Sequence, residues 1–90
     1  MINKYLRHAR QGFIVWNDTI PSTLSHAGVA NKLFGGHADI VSAGFFLFRD
    51  DGRVLCSGDS STLGIASRAD DSAALQLQLG VVIHIKAPQC

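Results

Sequence analysis

The stretch IVSAGFFLFRDDGRVLCSGDS, residues 40–60, decides the fold. Ile40–Phe48 is rich in β-branched and aromatic side chains, which suit a pleated, half-buried surface. The run breaks at Arg49-Asp50-Asp51-Gly52-Arg53 and resumes as Val54-Leu55-Cys56. An Asp-Gly pair between two such runs is a hairpin signal, because Gly accepts the positive φ that a tight turn demands. The sequence therefore predicts an antiparallel pair, Ile40–Phe48 with residues 54–59, turning at Asp51-Gly52. An all-helical chain is excluded.

Working outward, residues 57–64 are small, hydroxylated and glycine-containing, too polar for a core, and read as a loop. Beyond them Asp70-Asp71-Ser72-Ala73-Ala74 resembles a helix start with acids at its positive end. Leu75, Leu77 and Leu79 alternate as a strand would, and Gly80 arbitrates: a helix over 71–79 closed by Gly80, then a strand over 81–86 stopped by Pro88. Upstream, residues 13–16 are a compact apolar run that ends at Asn17-Asp18 and reads as a strand. After Ile20-Pro21-Ser22, the residues Leu24, Val29, Ala30, Leu33 and Phe34 recur at helical spacing until Gly35-Gly36, with Ser22, Thr23 or Ser25 as cap. Residues 1–10 show no clear periodicity and read as a basic segment carrying Lys4, Arg7 and Arg10. The predicted order is β-α-β-β-α-β, an α+β domain with a mixed or mostly antiparallel sheet of about four to five strands and two helices packed on it.

At 90 residues there is room for one hydrophobic core, so residues 1–90 form a single domain with 87–90 as a tail. Hydrophobic residues make up 47% and charged residues 17%, which excludes a disordered or coiled-coil chain. A net charge of +1 gives no strong nucleic-acid signal. No signal-peptide pattern opens the chain and no apolar run is long enough to span a bilayer, so a cytoplasmic protein with no membrane contact is expected. Cys56 and Cys90 make no disulfide framework and are expected as reduced thiols.

His8, His26, His37 and His84 lack the short paired spacings of metal motifs, so neither a metal nor another cofactor is expected. The loop Gly58-Asp59-Ser60-Ser61-Thr62-Leu63-Gly64 is the candidate site. Its two glycines permit unusual backbone angles, and its hydroxyls and successive N–H groups can wrap an oxyanion, phosphate being the natural guest.

The longer arrangement is similar to the Janus/Ocnus family of phosphohistidine phosphatases, over most of residues 12–86. The match consists of a strand, His26-Ala27-Gly28-Val29 at a helix start, Gly44-Phe45-Phe46 leading into the hairpin, and then the stretch from Cys56 to Ala66 with its Gly-x-Ser-x-x-x-Gly. The resemblance implies that His26 is the catalytic base or nucleophile. It also implies that Gly58, Ser60, Ser61, Thr62 and Gly64 bind phosphate, from a small ligand or a phosphoprotein. His37-Ala38-Asp39-Ile40 copies the family's histidine string more literally, but it leaves no room for the helix before Gly44, so position favours His26. The chain departs from the pattern at Phe45, where the family has Arg, and near Asp18, where another family Arg falls. The family's first-strand basic residue has no secure counterpart, Arg10 being close. The alternative function is a non-catalytic module that keeps the fold and binds an anion or a protein.

Overall fold

A computed structural model describes residues 2–80. The chain runs β1 (Ile2–His8), β2 (Gly12–Asp18), α1 (His26–Phe34), β3 (Ile40–Phe48), β4 (Val54–Ser57), β5 (Asp59–Ser60), β6 (Ile65–Ala66) and α2 (Asp71–Leu79). The strands β2-β1-β3-β4 form one antiparallel sheet, and β5 and β6 form a second, two-stranded one. The expected α+β class with two helices is present. The strand expected over residues 81–86 lies outside the described residues.

One element differs outright. The first residues, read as a basic segment, form β1, a central strand paired with β2 from Ile2↔Asp18 to His8↔Gly12 and with β3 from Lys4↔Phe45 onward. Its apolar signal is diluted because Lys4 and His8 are themselves buried, each with polar contacts supplied from elsewhere in the chain.

The hairpin forms as expected, with Gly52 at φ 88° and pairs from Phe48↔Val54 to Phe45↔Ser57. It is shorter than expected, however, because β4 stops at Ser57. Gly58 adopts φ 81° there and turns the chain into β5, so part of the expected loop is a small hairpin.

The helices occupy opposite faces of the sheet. On one face Leu6, Ala30, Ile40 and Ala43 join α1 to β1 and β3. On the other, Tyr5, Phe13, Phe46, Val54 and Leu75 pack beneath α2. Of the three cap candidates Ser25 serves, its Oγ accepting the Gly28 N–H at 2.9 Å, and Gly35 ends α1 at φ 70°. Helix α2 also satisfies the sheet's outer strands. The Gln76 and Ser72 side chains accept N–H groups of Val54 and Cys56 on β4, and Gln78 bonds both the N–H and the C=O of Phe13 on β2. Exposed strand edges invite pairing with other chains, and these side chains blunt them.

Candidate functional site

The β2–α1 connection is built around one carboxylate. Asp18, 1% exposed, accepts Lys4 Nζ at 2.8 Å, the Ser22 hydroxyl, and the N–H groups of Thr19, Thr23 and Leu24. The Lys4 ammonium and Ser22 hydroxyl outweigh the effect of desolvation and hold its carboxyl far below the usual carboxylate range. Residues 19–24 are thereby wrapped onto the start of α1. Lys4 Nζ completes its shell with Ser22 Oγ at 2.7 Å and the Leu24 carbonyl at 3.3 Å.

His26 opens α1 and is 3% exposed. Its ring lies edge-on between Trp16 and Phe45, with centroids 5.5 and 5.6 Å away. Because β4 has ended, nothing in it stands opposite Gly44, and the Gly44 carbonyl meets His26 Nε2 at 2.9 Å. A carbonyl only accepts, so the ring proton resides on Nε2 and Nδ1 keeps its lone pair. Among the described residues Nδ1 has no hydrogen-bond partner. Burial lowers the imidazole pKa and the nearby Lys4 charge adds to this, while the Gly44 carbonyl and Asp18 oppose it; the balance lies below the ordinary 6.5. At neutral pH the ring is uncharged and basic.

A cleft of about 270 Å³ opens beside this ring, lined by Lys4, Ser22, Ser25, His26, Phe45, Asp59, Ser61 and Thr62. Two of the five expected phosphate-binding residues, Ser61 and Thr62, are on its wall, and no acceptor among the described residues takes their N–H groups. The other three build the turn behind it. Ser60 is 2% exposed, and its Oγ accepts the Leu63 N–H at 3.1 Å instead of facing a ligand. Gly64 donates to the Ser60 carbonyl at 2.8 Å, and a Cβ on Gly58 would stand 2.8 Å from the Phe45 ring. Thr62 Oγ1 accepts the Ala27 N–H at 3.1 Å, fastening the turn to the first turn of α1. Thr62→Val should cost roughly 0.5–2 kcal/mol, as loss of a helix cap does, and Thr62→Ser should recover most of it in urea denaturation.

The competing histidine, His37, sits on the exposed turn between α1 and β3 and is not part of this cleft. Arg10, the nearest expected basic residue, pairs instead with Asp39. The cation at the cleft is Lys4, one of the three basic residues of the N-terminal segment; its acid partner Asp18 ends the neighbouring strand β2. Cys56 is half-buried, and burial pushes its thiol up to about 11, so it is inert as a nucleophile at neutral pH. Among the described residues no cluster of His, Cys, Asp or Glu could hold a metal ion, and no helix is long and apolar enough to cross a membrane. No family model matches the chain, and no curated protein or solved structure matches it.

Proposed function

We propose that the cleft handles a phosphoryl group and that His26 is the general base for its hydrolysis from nitrogen, as the resemblance to the phosphohistidine phosphatases implies. The observation that carries this reading is the fixed tautomer of His26. Its Nε2 proton is held by the Gly44 carbonyl, leaving a neutral Nδ1 lone pair on a ring that lines the same cleft as Ser61 and Thr62. In the reaction, Nδ1 takes a proton from water as the water oxygen bonds to phosphorus. The P–N bond breaks, and the proton passes from the His26 imidazolium to the leaving nitrogen, giving phosphate and, from phosphohistidine, the free imidazole side chain. Lys4, in the first strand, is the cation on the cleft wall, its charge shared with Asp18.

The charge inventory also supports a second reading. Lys4 is balanced by Asp18, the exposed Asp59 carboxylate lies on the cleft wall, and Phe45 stands where the family has Arg. This inventory favours weak phosphate binding. A module that binds without turnover fits this inventory.

Hydrolysis of phosphohistidine followed by phosphorus NMR separates the two. His26 is too buried for alanine to be a clean test, so His26→Gln, which can still donate to Gly44, is the informative variant. It should slow hydrolysis by about 10²–10⁴-fold with the fold retained by circular dichroism. The wild-type rate should hold down to pH 6.5 and fall only below it, since protonation removes the base. A wild type that raises its melting temperature with phosphate yet cleaves nothing beyond the buffer rate belongs to the binding-module reading. Absence of both effects would end the phosphoryl proposal.

A further inference from the structure

A second hollow, of about 290 Å³, lies away from His26, between the β1–β2 turn and the α1–β3 turn. Its floor includes His8, which is 5% exposed and packed at a tilt against Phe34 with centroids 4.3 Å apart. The N–H groups of Arg10 and Gln11 both donate to His8 Nδ1, at 3.1 Å each. The ring proton is therefore on Nε2, which points toward the hollow's acidic residue, Asp39. The distance to Asp39 Oδ2 is 3.9 Å, too long for a hydrogen bond, and among the described residues Nε2 has no acceptor. The His8 side chain is thus nine-tenths buried while its Nε2–H reaches the hollow, with Asp39 Oδ2 at 3.9 Å as its facing acidic group.

The same Asp39 oxygen lies 2.9 Å from the Arg10 guanidinium. That pair is loosely held, with side chains 75% and 47% exposed, and exposed ion pairs are weak. The Asp39 backbone is tied down, its carbonyl accepting the Ala9 N–H at 2.8 Å, so only the side chain needs to swing away. Once it does, the charged and ring N–H groups at the space are the His8 N–H and the Arg10 guanidinium, both donors, with Gln11 also on the wall.

We propose that this hollow binds a small carboxylate, which bridges Arg10 and His8 Nε2 in place of the Asp39 side chain. Asp39 is then a built-in competitor: it marks where a carboxylate sits on Arg10 but cannot reach His8. The Phe34 ring and Ala38 offer an apolar wall for a short carbon body.

The test is an acetate titration of the full chain followed by NMR, at constant pH and ionic strength, with acetamide as the uncharged control of the same shape. Acetate should shift the His8 ring and Arg10 side-chain resonances saturably, and acetamide should not. Asp39→Asn should tighten acetate binding about tenfold, because a charged competitor is removed. Arg10→Gln, a change at an exposed side chain, should abolish it without disturbing the fold. Equal shifts with acetate and acetamide, no saturable shift at His8 in Asp39→Asn, or unchanged affinity in Arg10→Gln would each overturn the proposal. Resonances of His26, Ser61 and Thr62 report separately on the phosphoryl cleft, so failure of one site leaves the other standing.

Discussion

Asp71→Ala is expected to destabilise the domain by about 3–5 kcal/mol, the range for breaking a buried ion pair by removing one partner. Asp71 is 0% exposed at the first position of α2, and its carboxylate is the meeting point of two strands, β1 and β3, and the loop before the helix. It accepts the Tyr5 hydroxyl, Arg7 at 3.1 Å, Ser42 Oγ at 3.0 Å and the Arg68 N–H at 2.8 Å. Truncation leaves the buried Tyr5 and Ser42 hydroxyls without their acceptor and removes the main anchor of α2 on the sheet. In a domain this small each kcal/mol lowers Tm by roughly 4–8 °C, so the effect is plain in a thermal melt.

The same carboxylate sets an acid limit. Burial opposes its charged form, but the Arg68 amide, Tyr5, Ser42 and Arg7 outweigh burial and hold its pKa below the usual carboxylate value. A depressed folded-state pKa contributes stability above the unfolded value of about 3.9, and that stability is lost as pH falls through the folded one. Tm should be insensitive to this group near neutrality and should drop below about pH 4. Asp71→Ala should shrink that acid drop without removing it, because Asp18 is held low in the same way. A variant with the wild-type melting curve and acid limb would refute the anchor.

The sequence made the hairpin and both helices legible because their signals are local. Asp51-Gly52 lies between apolar runs, Ser25 and Gly35 bracket α1, and Gly80 closes α2. Strand β1 was illegible for the opposite reason. Lys4 and Arg7 look like solvated charge until Asp18 and Asp71, 14 and 64 residues away in sequence, are seen to neutralise them. The site was half legible. His26 stood out by position, but the cation beside it belongs to the missed strand. The hydroxyl of Ser60 looked available because a side chain's direction within a turn depends on a local bond, here to Leu63, that composition does not reveal. The hollow beneath His8 needed the β1–β2 and α1–β3 turns brought together, which no local pattern specifies.

Gly44→Ala should damage stability and the cleft together. A Cβ at Gly44 would lie 2.5 Å from the Ser57 carbonyl oxygen and 3.4 Å from that of Gly58, both backbone atoms that cannot rotate aside. The end of β4 must therefore move outward, opening the Phe45↔Ser57 pair and disturbing the Gly58 turn that packs on Phe45. Overpacking of this kind costs about 1–3 kcal/mol. The Gly44 carbonyl also holds His26 Nε2, so displacement of β3 releases the imidazole and its tautomer is no longer fixed. In the wild type the Nε2-bound proton should exchange slowly and be visible by NMR; in Gly44→Ala it should be lost, along with any phosphohistidine hydrolysis or phosphate-dependent rise in Tm. Gly36→Ala is the matched control, since nothing lies within 4 Å of a Cβ there, and it should leave Tm and the Nε2 proton unchanged. If Gly44→Ala keeps the wild-type Tm and a protected Nε2 proton, the close approach of β4 does not set the histidine. If it loses stability yet keeps that proton, the sheet register and the orientation of His26 are independent of each other.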